Sequence, residues 1–261
     1  MDIDVEVVKT IVRRVAIAEL LPRFANVECT IKADRSIVTE ADLIVQSQIK
    51  AQLQEVYPGI EMLSEEMTVA EQQAAIRSSQ PIWCLDPIDG TSNFFVGVPY
   101  YCVSLALMKQ GEALLGLVYD PNRDEYFIAE KNKGAWLNGA LLNLEGSNTP
   151  LKTSIALVDF KRLSSDLAQK LVVQMPYASQ RSFGSVALDW CWLASGRCHV
   201  YCHGKQNVWD YAAGHLIFSE AGGISATLTG DALSYDLTPT SAVGALSPRL
   251  FDEWLACLRS E

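Results

Sequence analysis

The chain has 261 residues, of which 49% are hydrophobic, and a formal net charge of −10 at pH 7. This length can bury a large core, either as one compact unit or as two closely joined halves. The negative charge argues against binding to nucleic acid or to an anionic membrane, because both partners require a basic surface. A phosphorylated small molecule would need metal ions to offset the charge of the protein.

Seven cysteines without a repeating spacing predict free thiols rather than a disulfide framework. Free thiols fit a reducing compartment, so we expect a cytoplasmic protein. The acidic N-terminal residues, and the charges that recur in the following turns, predict neither a signal peptide nor a membrane span.

Hydrophobic periodicity predicts helices and strands through the first half of the chain. The expected elements, in chain order, are helices over 2–25 and 39–56, a strand over 60–63, a helix over 67–76, an apolar strand that ends at Asp86, strands over 101–108, 113–119 and 125–129, and an irregular strand over 134–144. Thr39 and Asp42 resemble a capping box at the start of the second helix. Taken alone, Asp42 is therefore explained by helix capping.

The polar segment 145–150 is the expected boundary between two halves of one compact catalytic unit, 1–147 and 148–261. The elements expected in the second half are a strand over 154–158, a helix over 164–174, a short strand near Arg181, a helix over 185–194, a strand over 198–202, a helix over 209–221, strands over 224–228 and 242–245, and a helix over 248–258. This order predicts sheets layered with helices. His215, inside an otherwise apolar helix, is expected to be packed and hydrogen-bonded.

The acidic residues that follow the apolar strand point to metal chemistry, since Asp86 and Asp89 stand three residues apart. Two carboxylates at the edge of a core repel each other unless a cation lies between them or one holds a proton. Pro87 lets both carboxylates and the Ile88 carbonyl face one side, and such hard oxygen ligands suit Mg²⁺ or Mn²⁺ far better than zinc. A divalent metal site is therefore predicted here.

Two further features lie next to the segment from Asp86 to Asp89. The N–H groups of Gly90 and Thr91, at the start of a helix, can receive a phosphate group. A second pair of acids, Glu65 and Glu66, follows the strand over 60–63 and can either begin a helix or face the same ion. Metal ligands and an anion-binding backbone are thus expected next to each other.

Three blocks of sequence resemble the inositol monophosphatase family. The blocks are Ser64-Glu65-Glu66, Asp86-Pro87-Ile88-Asp89-Gly90-Thr91 and Trp209-Asp210-Tyr211-Ala212-Ala213-Gly214. The similarity extends from residues 37–42 to residues 220–223. The family belongs to a group of lithium-sensitive, metal-dependent phosphatases that includes fructose bisphosphatases and nucleotide 3'-phosphatases. The resemblance implies a layered α/β/α/β/α fold and a homodimer.

The resemblance also implies roles for individual acidic residues. Glu65, Asp86 and the Ile88 carbonyl would hold a first Mg²⁺. Asp86, Asp89 and Asp210 would hold a second, so that Asp86 bridges the two ions. A third, weaker ion and the attacking water would lie near Glu65.

Catalytic and substrate-binding residues are implied in the same way. Thr91, paired with Asp42, would help to orient and deprotonate the attacking water. The implied substrate contacts are Asp89, Gly90, Thr91, Gly184, Ser185, Val186, His203 and Asp210, of which 184–186 would touch the leaving group. The expected activity is Mg²⁺-dependent hydrolysis of a small phosphate monoester by metal-activated water, with Li⁺ as an inhibitor and no covalent enzyme intermediate.

Several alternatives share these features. They are sugar bisphosphatase, histidinol-phosphatase or nucleotide 3'-phosphatase activity, and a regulatory or scaffold protein of the same fold. His203 stands seven residues before Asp210, where inositol-specific members carry a glutamate. An imidazole can donate a hydrogen bond or carry charge, and Lys205 follows closely. We therefore expect a substrate other than myo-inositol phosphate, with a second anionic group.

Overall fold

The structure, a computed structural model, describes residues 3–31, 37–77 and 79–259, without the side chain of Ile31. Its α helices are α1 (Val5–Glu19), α2 (Glu40–Val56), α3 (Val69–Ile76), α4 (Thr91–Val96), α5 (Ser165–Gln174), α6 (Val186–Ala194), α7 (Val208–Glu220) and α8 (Pro248–Arg259). Short 3₁₀ turns span Leu21–Arg23, Leu151–Thr153 and Phe160–Arg162. Within the described ranges, no helix combines the length and the apolar character needed to cross a bilayer.

The strands of the described residues form two large sheets and a small hairpin. They are β1 (Cys29–Ile31), β2 (Ile37–Thr39), β3 (Glu61–Ser64), β4 (Ile82–Asp89), β5 (Cys102–Lys109), β6 (Glu112–Asp120), β7 (Glu125–Glu130), β8 (Gly134–Leu137), β9 (Ala140–Leu142), β10 (Ile155–Asp159), β11 (Ser179–Arg181), β12 (Val200–Gln206), β13 (Ile224–Ala226) and β14 (Thr240–Ala245). The first sheet has the order β3-β4-β5-β6-β7-β8-β9 and the second the order β11-β10-β12-β14-β13. Both sheets are mixed, because β3 pairs parallel to β4, and β10 pairs parallel to β11 and β12.

Helices separate and cover the two sheets. Helices α1 and α2 pack on the outer face of the first sheet, α6 and α7 lie between the sheets, and α8 packs on the second sheet. The chain therefore folds as the α/β/α/β/α sandwich that the sequence predicts. Helix α7 is buried along most of its length because apolar layers contact it on both sides.

The core between the sheets is shared by both halves of the sequence, since it contains Leu63 as well as Trp190 and Phe218. The division at residues 147 and 148 stays a prediction. His215 on α7 is packed and hydrogen-bonded as expected, because its Nδ1 lies 2.6 Å from the Tyr235 hydroxyl and its Nε2 lies 2.7 Å from Ser225 Oγ.

Some boundaries differ from the sequence prediction. The first helix ends at Glu19, and Pro22, which lacks an N–H donor, lies in the 3₁₀ turn that follows. Strand β4 continues past Asp86 to Asp89, and β12 continues past Cys202 to Gln206, because irregular pairing in both places keeps the strand in its sheet. The β1–β2 hairpin was not predicted, since three-residue strands carry too little periodicity.

Candidate active site

One cavity, of about 420 Å³, lies where the ends of β4, β10 and β12 and the starts of α4, α6 and α7 meet. All the predicted metal ligands line it, namely Glu65, Asp86, Ile88, Asp89 and Asp210. The predicted substrate contacts that also line it are Gly90, Thr91, Gly184, Ser185, Val186 and His203. Asp42 is fully buried and is connected to the cavity through Thr91.

Asp86 and Ile88 are set by an irregularity in β4. Asp86 pairs with Ser104 of β5, but the register shifts before Asp89, so the strand bulges between its two acids. Asp86 Oδ1 accepts a hydrogen bond of 3.0 Å from the Ile88 N–H. The segment from Asp86 to Asp89 is therefore a bulged strand end that carries two carboxylates.

Asp89 is held by the second half of the chain. Its Oδ2 accepts hydrogen bonds of 2.6 Å from the Ser185 hydroxyl and from the Ala187 N–H, and its Oδ1 accepts one of 3.2 Å from the Val186 N–H. These donors form the start of α6, where the helix dipole favours a negative charge. Ser185 and Val186, which the family resemblance assigns to the leaving group, thus position Asp89 in this structure.

Gly90 allows the chain after β4 to lie close to Gly184, which belongs to the second half of the sequence. Its φ of 95° lies in the left-handed region, and a Cβ built there would be 3.0 Å from the Tyr100 carbonyl oxygen and 3.3 Å from that of Gly184. A residue with a side chain would be both strained and crowded at this point. Thr91 then begins α4, whose first N–H groups have no partner within the helix.

Thr91 and Asp42 form a hydrogen-bonded pair behind the cavity. Thr91 Oγ1 lies 3.1 Å from Asp42 Oδ1 and 2.8 Å from the Ile88 carbonyl oxygen. Asp42 Oδ2 accepts bonds of 2.7 Å from both the N–H and the hydroxyl of Thr39. Burial raises the pKa of Asp42 to about 6, although the bonds from Thr39 oppose this shift. Asp42 therefore caps α2 and contacts Thr91 at the same time.

Asp210 occupies the first turn of α7, where its Oδ2 accepts a hydrogen bond of 2.8 Å from the Asn207 N–H. Burial raises the pKa of Asp210, and the nearby charge of Asp89 raises it further. Burial likewise raises the pKa of Asp86, with added repulsion from Glu65, Asp89 and Asp210. Acids from three parts of the chain, the residue after β3, strand β4 and helix α7, thus repel one another across a single cavity.

His203 is buried at the cavity edge with both ring nitrogens engaged. Nδ1 accepts a hydrogen bond of 3.2 Å from the Lys205 N–H, and Nε2 lies 3.0 Å from Asp159 Oδ2. The parallel register of β10 and β12 places Asp159 opposite His203. Burial raises the pKa of Asp159, but interactions with neighbouring groups, of which the hydrogen bond from His203 is the largest, outweigh it and leave the pKa below its usual value.

Comparison with known proteins decides the family of this chain. A sequence model described as the inositol monophosphatase family matches residues 2–261. The chain belongs to the inositol monophosphatase family. The Nus factor SuhB of Pasteurella multocida is 31% identical over 253 residues, which cover 94% of this chain and 92% of the relative. Inositol monophosphatase 1 of Solanum lycopersicum is 31% identical over 234 residues, which cover 87% of this chain and 84% of that protein.

A solved structure confirms the layered fold of this family member. The IMPase/NADP phosphatase complexed with Mg²⁺ and phosphate matches with a TM-score of 0.82 at 26% identity, covering 94% of this chain and 91% of that chain. The metal and the phosphate are those of that relative.

The acidic residues of this chain also fit Mg²⁺ by their own chemistry. The donors are carboxylate and carbonyl oxygens, and burial and mutual repulsion raise the pKa of Asp86 and Asp210, an effect that a divalent cation would relieve. Among the residues that the structure describes, no three His, Cys, Asp or Glu side chains are drawn together closely enough to share an ion as they stand. Hydrogen bonds from neighbouring groups hold Asp86, Asp89 and Asp210 instead.

Sequence reasoning missed several charged residues of the cavity, namely Asp159, Lys161, Arg162 and Asp189. Asp189 is buried and accepts a hydrogen bond of 3.0 Å from the Tyr100 hydroxyl, and burial raises its pKa well above the usual value. Its position one helical turn after Ser185 could have indicated it. Asp159 and its neighbours could not be found in this way, because only strand register brings them to the cavity.

Proposed function

We propose that this protein hydrolyses a small-molecule phosphate monoester with the help of Mg²⁺ and transfers the phosphoryl group directly to water. The observation that carries the proposal is the convergence of Glu65, Asp86, Asp89 and Asp210 on one cavity from distant parts of the chain. The start of α4 at Thr91 lies in the same cavity and offers N–H groups to phosphate oxygens.

The reaction is a single displacement at phosphorus. The oxygen of water bonds to phosphorus while the ester bond between phosphorus and the alcohol oxygen breaks. The alcohol oxygen leaves with its electron pair and gains a proton, and the products are the free alcohol and inorganic phosphate. Two of the hydroxyls that line the cavity, those of Thr91 and Ser185, contact carboxylates and are used here for positioning.

Thr91 and Asp42 position the water and accept its proton. The Thr91 hydroxyl has one proton, which it can donate to Asp42 or to the Ile88 carbonyl but not fully to both. With its proton directed to Asp42, Thr91 Oγ1 keeps two lone pairs and can accept a hydrogen bond from water. A carboxylate whose pKa is about 6 is ionised at neutral pH and can take up a proton there.

Glu65, Asp86, the Ile88 carbonyl, Asp89 and Asp210 are the groups that would hold two Mg²⁺ ions, with a third near Glu65. When bound, such ions supply charge neutralisation at the phosphate oxygens and an acidified water molecule. Asp89 needs its α6 donors and Asp210 needs Asn207 to keep their carboxylates aimed at the cavity. We also expect inhibition by Li⁺ and a homodimer, which light scattering tests.

Asp86→Asn provides a test whose two readouts move in opposite directions. In metal-free protein the variant should be as stable as the wild type or more so, because it removes a buried charge from a group of repelling acids. Mg²⁺ at roughly 100 times its Kd should stabilise the wild type by about 2.7 kcal/mol and the variant hardly at all. Phosphate release from an ester panel should fall with the loss of metal stabilisation.

Asp252→Asn is the matched control, since Asp252 is exposed on α8 away from the cavity. It should keep both Mg²⁺ stabilisation and activity. The panel includes inositol 1-phosphate, a sugar bisphosphate, histidinol phosphate and a nucleotide 3'-phosphate. Folded wild type that releases no phosphate from any of them with Mg²⁺ or Mn²⁺ contradicts the proposal.

A regulatory or scaffold role is the second candidate, and the relative named Nus factor SuhB favours it. In that case the fold and the Mg²⁺ stabilisation would persist without turnover. The ester panel separates the two candidates, because only an enzyme releases phosphate and loses that release in Asp86→Asn.

A further inference from the structure

The charges of the cavity are divided between two sides. We define the acidic wall as Glu65, Asp86, Asp89 and Asp210, and the basic wall as Lys161, Arg162 and Lys205. All three side chains of the basic wall are exposed. Within residues 3–31, 37–77 and 79–259, none of the three forms an ion pair shorter than 4 Å. A chain with a net charge of −10 thus places three exposed cations beside the residues that we assign to phosphate binding.

The basic wall is fixed in place by Asp159. One carboxylate oxygen of Asp159 contacts His203 Nε2 at 3.0 Å, and the other accepts a hydrogen bond of 3.0 Å from the Lys161 N–H. The second bond caps the 3₁₀ turn Phe160–Arg162. Asp159 therefore joins β12 to the turn that carries two of the three cations.

Gly204 brings the third cation alongside. A Cβ at Gly204 would lie 1.8 Å from the Arg162 carbonyl oxygen and 2.4 Å from its carbon, so only glycine lets the turn lie directly against β12. Lys205 follows at once and shares the cavity with Lys161 and Arg162. The close contact of two backbones therefore places the three residues side by side.

His203 acts on this wall as a positioning residue. Its two ring nitrogens are occupied by Lys205 N–H and by Asp159, so the ring has no polar atom left for a ligand. Two carboxylates near His203 in this cavity, those of Asp159 and Asp189, both accept hydrogen bonds from the protein. A ligand that reaches the wall meets ammonium and guanidinium groups.

We propose that the basic wall binds a second anionic group, a carboxylate or a phosphate, on the alcohol part of the phosphate monoester. This inference rests on the proposed function, which places the reacting phosphate at the acidic wall. A neutral polyol offers these exposed cations no opposite charge, whereas an anion gains charge-assisted hydrogen bonds from them. A cavity of about 420 Å³ has room for such a ligand.

The test compares matched substrates on matched variants. Glycerol 3-phosphate and 3-phosphoglycerate differ by a carboxylate, and adenosine 3'-monophosphate and adenosine 3',5'-bisphosphate differ by a phosphate. In at least one pair, we expect wild type to prefer the member with the additional anionic group by about tenfold in kcat/KM. The pair that shows this preference identifies that group as a carboxylate or a phosphate. The preference should shrink as ionic strength rises, because exposed charges are screened.

The variant K161Q/R162Q/K205Q should reduce this ratio to near one. The control K109Q/K152Q/R249Q changes the same charge at three exposed sites outside the cavity and should keep the ratio. A wild-type ratio near one in both pairs, or an unchanged ratio in the wall variant, overturns the proposal. For the substrate with the additional anionic group, His203→Gln should raise KM in greater proportion than it lowers kcat. A purely structural role of His203 would not produce this difference.

Calorimetry separates failure of this inference from failure of the proposed function, since binding needs no turnover. If no ester is hydrolysed, tighter binding of 3-phosphoglycerate than of glycerol 3-phosphate, lost in the wall variant, still supports the basic wall. Equal Kd values for the members of both pairs overturn it even where hydrolysis is fast.

Discussion

The acidic wall and the basic wall face the same cavity but are built by different means. Asp86 and Asp89 are buried at the end of an interior strand, and hydrogen-bond donors of the main chain hold both carboxylates. The cations of the basic wall are exposed on a 3₁₀ turn and a strand end. The difference indicates that the groups we propose to act on the phosphate have fixed geometry, whereas those we propose to select the substrate are solvated.

The energetic consequences of the two walls also differ. Buried carboxylates whose pKa values are raised by burial and repulsion weaken the metal-free fold at neutral pH. Solvated lysine and arginine side chains keep most of their hydration and cost little stability. Metal binding should therefore stabilise the protein through one wall alone.

The largest expected effect comes from neutralising one group on each wall. Asp210→Asn should lower kcat/KM by about 10³-fold or more, or about 4 kcal/mol, on every substrate, because the second metal loses a charged ligand. Lys205→Gln should lower it by about tenfold or less, and only for substrates with a second anion. Steady-state assays of both variants with glycerol 3-phosphate and 3-phosphoglycerate, or with the two adenosine phosphates, measure these losses of kcat/KM. Similar losses in the two variants would contradict the division into walls.

The acidic wall could be predicted from the sequence because its residues stand in contiguous blocks. Asp86, Ile88, Asp89 and Thr91 belong to one short segment whose residue types alone suggest oxygen ligands and an anion-binding helix start. The layered order of helices and strands likewise follows from hydrophobic periodicity, since each element buries one face locally. What the sequence could not give was the bulge that keeps β4 in its sheet to Asp89.

The basic wall could not be predicted because it depends on register. Asp159 and His203 meet only through parallel pairing of β10 and β12, which no local pattern specifies. The sequence suggested His203 as a substrate contact, but it could not show that both ring nitrogens are used within the protein. Gly204 gave no signal either, since its requirement comes from the backbone of Arg162.

His215 lies in the core, away from both walls, and makes the free energy of unfolding depend on pH. Burial lowers the pKa of His215 from 6.5 to about 4, so the folded state favours the neutral ring. This contribution to stability is present above pH 6.5 and is lost as the pH falls towards 4, a change of roughly 3 kcal/mol. Urea unfolding of wild type and His215→Gln across this range isolates it. A difference between the two proteins that does not vary with pH would contradict the assignment.

Gly90 tests how far the acidic wall depends on close contact between the two halves. Gly90→Ala should cost about 1–3 kcal/mol, because the new Cβ would crowd the Tyr100 and Gly184 carbonyls in a left-handed backbone. Gly139→Ala is the matched control. Gly139 also has a positive φ, but a Cβ built there would have no atom within 4 Å. Thermal unfolding measures both. Equal losses would mean that backbone strain alone, and not contact, makes Gly90 necessary.

The smallest effect is expected behind the acidic wall, at Thr39. Thr39→Ala removes the hydroxyl that donates to Asp42 Oδ2 at 2.7 Å and should cost about 1 kcal/mol of stability. Because that bond lowers the pKa of Asp42, its loss should raise the pKa further above about 6. If Asp42 accepts a proton during catalysis, the acid limb of the plot of kcat against pH must move to higher pH in Thr39→Ala. In Thr39→Ser it must return to its wild-type position. A limb that stays in place while stability falls would leave Asp42 as a helix cap only, and would move the proton acceptor from Asp42 to a group of the acidic wall.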